Sequence, residues 1–139
     1  MKKETRQKVF DKYKGLCAYT GKPLGSDWQV DHVTSKLKHI NNIYGNYYNI
    51  IEIKEELKKV DDITNLLPSC RIVNHYKRSL DLEGFRRYMM NFHKRLAKLP
   101  KKTKSPKTQK RKEYMFKVAE LFEITIEKPF CGKFYFEKL

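Results

Sequence analysis

Carboxylates are scarce in this chain: 16 Asp and Glu stand against 31 Lys and Arg, leaving a net charge of +15 over 139 residues and a pI near 9.7. An imbalance of that size bears on partners rather than on fold, and nucleic acid leads among them. Cysteine is also sparse. Cys17, Cys70 and Cys131 are few and odd in number, which fits reduced thiols better than a disulfide framework. No run of about 18 apolar residues occurs, which removes a membrane-spanning helix. No apolar block follows the N-terminal lysines, and no basic amphipathic anchor with a Trp/Leu-rich face stands out. The expectation is therefore a soluble, intracellular protein with no membrane partner, cytoplasmic in a prokaryote or a phage-infected host. Internal repeats are lacking. What remains is 40% hydrophobic residues with nine Tyr and eight Phe, enough to fill the core of one compact domain.

Residues 4–14 read as a short helix, with Val9, Phe10 and Tyr13 on one face and Gly15 at its stop. A turn-rich stretch, CAYTGKPLGSD, precedes a strand at Trp28-Gln29-Val30 that runs into Asp31-His32. Residues 36–60 read as an insert: an Asn- and Tyr-rich loop, then a helix expected from apolar residues at 50, 53, 57 and 60. The loop's asparagines and tyrosines suit either recognition of adenine edges or packing on the core. Ile63 to Leu67 reads as a return strand, and Pro68-Ser69 as a turn into a helix carrying Asn74 and Lys77. From Asp81 to Leu99 one helix is predicted, since Leu82, Phe85, Met89, Phe92, Leu96 and Leu99 recur at steps of three and four. Residues 100–112 read as a basic linker that grips phosphates without reading bases. Residues 113–139 then read as a C-terminal appendage, a helix followed by a β-hairpin from Glu123–Ile126 and Lys133–Glu137.

The chemistry concentrates in three places: Asp31-His32 inside WQVDHV, Asn65 inside TNLLPSC, and Asn74 inside CRIVNHYK. A hard anionic oxygen, a proton acceptor and an amide oxygen in a cationic host point to phosphodiester cleavage. Together with CAYTGKPL and LEGFRRYM, these segments resemble the HNH endonuclease family of ββα-metal nucleases over roughly residues 5–95. The order Asp-His, Asn-Leu, Asn-x-x-Lys is specific in combination, while each dipeptide alone is weak. The resemblance implies an α+β fold: a ββα-metal core with flanking helices and the small C-terminal element, residues 1–99 forming the nuclease domain. The chain departs from the family's paired Cys-x-x-Cys knuckles, because Thr20 and Val73 stand where the second thiolates belong. Two remaining cysteines cannot close a tetrahedral site, so no structural zinc is expected.

Residue by residue, the resemblance implies His32 as general base, since an ordinary histidine near pKa 6.5 is largely neutral at pH 7. Asp31 and Asn74 become ligands of one Mg²⁺ or Mn²⁺, an ion commonly held by one or two protein ligands plus water and phosphate. Asn65 takes the family's bracing role behind the His32 loop. His75, Lys77 and Arg71 are left as phosphate contacts or supports of the ligands; on a helix, His75 points about 100° away from Asn74. The partner is DNA. One site cuts one strand, so a double-strand break calls for a homodimer or two successive nicks. Two alternatives stay open: a non-catalytic DNA-binding protein on the same fold, and an RNA-directed nuclease.

Overall fold

The computed structural model describes residues 1–33 and 62–139. The expected insert at 36–60, its loop and its helix lie outside them. The described residues form a mixed α+β arrangement of five α-helices and one two-stranded antiparallel sheet. Helix α1 (Lys3–Lys12) leads to strand β1 (Gln29–His32); a 3₁₀ turn at Ile63–Asn65 opens strand β2 (Leu66–Ser69). Helix α2 (Arg71–Lys77) follows at once, then α3 (Leu82–Met90), α4 (Phe92–Ala97), α5 (Pro106–Leu121) and a final 3₁₀ turn at Tyr135–Lys138. Among these residues no helix is long and apolar enough to cross a membrane.

Strands β1 and β2 pair in the register Gln29↔Ser69, Val30↔Pro68, Asp31↔Leu67 and His32↔Leu66. Proline has no N–H to give a ladder, and here the Pro68 carbonyl accepts from the Ala18 N–H at 2.8 Å. The Cys17–Tyr19 segment thereby lies along the other side of β2. Gly21 closes that segment's turn at φ +72°, and a Cβ there would fall 2.6 Å from the Tyr135 ring. Helix α1 packs on β2 by burying Val9, while the Lys12 ammonium donates to the Ile63 and Leu66 carbonyls, each at 3.0 Å. Partial burial of that ammonium pushes the Lys12 pKa below its ordinary value.

The single helix predicted from Asp81 to Leu99 is two. Asn91, with φ −103° and ψ 5°, interrupts it, and its side-chain amide donates to the Arg87 carbonyl at 3.3 Å. Asparagine competes in this way with the backbone's own hydrogen bonds. The apolar face survives the break, because Phe85, Met89, Phe92 and Leu96 are all buried in one cluster. The basic linker is also shorter than expected. Pro106 does not discourage a helix but starts one: Ser105 caps α5 by accepting from the Thr108 N–H at 3.4 Å, and Pro106 takes the first turn, where no N–H is needed. Residues 106–112 are therefore helical.

The expected C-terminal hairpin is absent; residues 123–126 and 133–137 form no strand. A tight turn joins Thr125 to Lys128, and the chain ends in the 3₁₀ turn, whose Glu137 carboxylate accepts from the Phe134 N–H at 2.9 Å. Phe130 and Phe134 insert into the core instead, where Phe134 stacks on Phe85 with ring centroids 5.2 Å apart. Arg86 clamps this end down, giving two hydrogen bonds to Glu137, at 2.7 and 2.6 Å, and one to the Gly132 carbonyl at 2.7 Å. That guanidinium holds the Glu137 carboxyl below its usual range.

Residues 113–139 are thus part of the main core and not an appendage. Met115, Val118, Ala119, Ile124, Phe130 and Phe134 belong to the same buried cluster as Tyr19 and Phe85. Loss of a single core phenylalanine typically costs about 3–5 kcal/mol, so a fragment ending at Leu99 is expected to be unfolded or insoluble. Far-ultraviolet circular dichroism of that fragment checks this; a soluble, cooperatively melting fragment would contradict it.

Candidate active site

The site is built where α2 crosses β1. Alternation along a strand puts Gln29 and Asp31 on one face of β1. On α2, Asn74 and Lys77 are three residues apart and so share a face. The two faces meet: the Asn74 amide donates to the Gln29 side-chain oxygen at 2.7 Å, and the Lys77 ammonium lies 3.1 Å from Asp31 Oδ2 and 3.3 Å from Oδ1. Lys77 also donates to the His32 carbonyl at 3.3 Å. The crossing thus sets Asn74 one helical turn from the residue that touches Asp31.

Asp31 is 6% exposed and Lys77 is 1% exposed, so this is a buried ion pair. Taking two charges out of water is costly, and mutual attraction offsets that only with further hydrogen bonds to the remaining lone pairs. Tyr19 supplies one: its hydroxyl donates to Asp31 Oδ2. Burial first, then the neighbouring Asp31 anion, pushes the Tyr19 pKa well above its ordinary value, which keeps it a neutral donor. Its ring packs edge-on to Phe85 and Phe134 at 5.5 and 5.1 Å, so the aromatic core itself fixes the hydroxyl that holds Asp31.

His32 ends β1, half-buried, on the opposite side of the pleat from Asp31, and the chain bends at Val33 immediately after it. Asn65 stands across from that bend, its carbonyl accepting from the Val33 N–H at 2.9 Å. His75 and Arg71 are exposed on the outer side of α2, outside the cluster around Asp31. His75 packs edge-on to Tyr114 of α5 at 6.1 Å. Lys77, which a surface reading makes a phosphate contact, faces Asp31 and not solvent.

Two members of the cluster, Gln29 and Tyr19, carry no motif of their own in the sequence. Gln29 orients Asn74, and its signal was its place two residues before Asp31 on one strand face. For Tyr19, nothing local to CAYT reveals that its hydroxyl reaches a carboxylate twelve residues on.

A Mg²⁺-type ion can be tested against these donors. Asn74 has its amide nitrogen engaged by Gln29, which leaves its oxygen as an acceptor for a cation, and Asp31 offers a carboxylate with about four lone-pair sites. Two oxygen donors are the number such an ion commonly takes from protein, the rest of its shell being water and phosphate. The ammonium of Lys77 competes for the same carboxylate, so cation and Lys77 must share Asp31 or Lys77 must turn away. Among the described residues no group of three or more His, Cys, Asp or Glu that could hold a metal gathers, here or elsewhere.

Behind the site, Cys17 and Cys70 meet. The Cys70 N–H donates to the Cys17 sulfur at 3.5 Å, and Thr20 also hydrogen-bonds that thiol. The hydrogen bond from the Cys70 thiol holds Cys17 down to about 6, against the opposing effect of burial, and Cys70 is correspondingly pushed up. Val73, the fourth position, is fully buried among apolar neighbours. Two sulfurs, a hydroxyl and an isopropyl group make a poor zinc site. Purified protein is accordingly expected to carry less than about one zinc per chain; stoichiometric zinc by elemental analysis, with melting on chelator treatment, would overturn this.

Comparison with known proteins finds no match: no family model, no curated protein and no solved structure matches this chain.

Proposed function

We propose that this protein is a metal-dependent DNA endonuclease of the HNH type, with a ββα-metal core formed by β1, β2 and α2. The observation that carries the proposal is the crossing itself: an antiparallel strand pair followed at once by a helix, with Asn74 and Lys77 set against Gln29 and Asp31. The net charge of +15 suits a polyanionic substrate.

Asp31 and Asn74 would hold a Mg²⁺ or Mn²⁺ ion. When bound, that ion stabilises the charge of the pentacoordinate phosphate and of the leaving 3′-oxygen. His32 takes the proton from the water that attacks in line. Asn65, across from Val33, braces the bend that follows His32. Lys77 and Tyr19 hold the Asp31 carboxylate in place, and Gln29 keeps the Asn74 amide turned so that its oxygen serves as the ligand.

Metal-dependent conversion of supercoiled plasmid to nicked or linear product tests the proposal, and two variants test its register. Asn74→Ala is expected to slow cleavage more than His75→Ala, with thermal melts of both showing folded protein. An inactive His75→Ala beside an active Asn74→Ala would make His75 the ligand.

The Lys77–Asp31 pair favours a second reading. A carboxylate already neutralised by an ammonium serves a non-catalytic DNA-binding protein as well as it serves an enzyme. Persistent DNA binding without cleavage in any divalent metal would select that reading.

A further inference from the structure

Beyond α2 the chain encloses a groove of about 740 Å³, within the range of small-ligand sites. It lies between the end of α2, the α3–α4 arm and the first turns of α5. Arg78, Arg95, Lys110 and Arg111 line it, with Tyr88 and Tyr114, and no carboxylate of the described residues does. The guanidinium of Arg95 lies 3.7 Å over the Tyr88 ring, making a flat platform of a cation on an aromatic. Its Nε is buried with no hydrogen-bond partner, and buried unsatisfied donors are uncommon enough to call for an explanation. Arg78 ends α2 at φ +57°, a backbone conformation that side-chain-bearing residues rarely adopt. His75, next to Asn74, lines the same groove, so it begins one residue from the candidate ligand.

We infer that this groove holds an unpaired nucleotide of a bound single strand, its base stacked on the Tyr88–Arg95 platform and its flanking phosphates on Lys110, Arg111 and Arg78. Stacking on aromatic and guanidinium planes is how bases free of a duplex are held, and a base paired inside a duplex cannot offer its face. Charge sets the phosphate end, since a groove lined by four cations with no acid accepts an anion and repels a second cation. The inference rests on nucleic acid being the partner, and not on cleavage.

The test is fluorescence anisotropy of the full chain in EDTA, using a labelled single strand and a blunt duplex of the same sequence. The single strand is expected to bind about 10-fold more tightly, although the duplex has the denser charge. Tyr88→Ala and the double variant Lys110→Gln/Arg111→Gln should each weaken single-strand binding by about 10-fold, the effect of one lost base stack or phosphate pair. Lys3→Gln/Lys8→Gln on α1 removes the same charge away from the groove and should weaken it less than about 3-fold. All these positions are exposed, Tyr88 by 40%, so the variants should fold, and melting curves check that they do. Equal losses in the groove and control variants, or a duplex bound as tightly as the single strand, would overturn the inference. So would displacement of the strand by an equal concentration of free deoxynucleoside monophosphate, which would make the groove a mononucleotide pocket. Plasmid cleavage without single-strand preference sinks the groove alone, whereas single-strand preference without cleavage sinks only the nuclease.

Discussion

Lys77→Met is expected to lower stability by about 3–5 kcal/mol, the usual result of stripping one partner from a buried ion pair. For a chain of this size that is a fall in Tm on the order of 10–20 °C. Methionine keeps most of the lysine stem's apolar contacts, so the loss isolates the ammonium. What it leaves is Asp31, 6% exposed, with Tyr19 as its remaining donor in the cluster. Asp31→Asn placed in the same chain should recover most of the loss, because removing both charges avoids the uncompensated one. The proposed metal site adds a second expectation. Millimolar Mn²⁺ should raise the melting temperature of Lys77→Met more than that of the parent protein, since an ion bound only by the folded state stabilises it by about 2.7 kcal/mol at a hundred times its Kd. Calorimetric melts of the parent, the single variants and the double variant decide this. A Lys77→Met protein melting with the parent would mean that the pair contributes little, and one blind to Mn²⁺ would count against Asp31 as a ligand.

His32→Ala is expected to reduce DNA cleavage by about 10²–10⁴-fold, the range for loss of a general base. That corresponds to roughly 3–5 kcal/mol of barrier. Binding should persist, because the change leaves the +15 charge in place. Cleavage rates at saturating DNA, set beside anisotropy titrations in EDTA, separate the two effects. Cleavage by the variant at the parent rate would remove His32 from the chemistry.

How far these features can be read from the chain depends on how local their causes are. The face formed by Phe85, Met89, Phe92 and Leu96 is legible because helical periodicity is a local property, and it persists through the break at Asn91. The break itself depends on one side-chain hydrogen bond that competes with the helix. Ser105-Pro106 carried a helix-start signal that its surrounding lysines obscured; a cap followed by proline outweighed the linker-like composition. At the C-terminus, Phe130 and Phe134 are ring anchors for a core supplied by distant helices, which no local pattern reveals.

Within the candidate site, the meeting of β1 and α2 was foreseeable from motif order, but the burial of Lys77 was not. Lysine is almost never fully buried unless paired, and its partner lies 46 residues away in sequence. Tyr19 is the same case, since the contact that matters is a hydroxyl reaching a carboxylate across the fold. Cys17 and Cys70, 53 residues apart in sequence, do come together, and Thr20 hydrogen-bonds the Cys17 thiol.

The central claim is that the crossing of β1 and α2 is a metal-dependent nuclease centre, and incubation of the purified protein with supercoiled plasmid tests it most directly. Nicked or linear DNA appearing in Mg²⁺ or Mn²⁺ and vanishing in EDTA is the predicted result. Plasmid that stays supercoiled in every divalent metal, while the protein binds it, would contradict the claim.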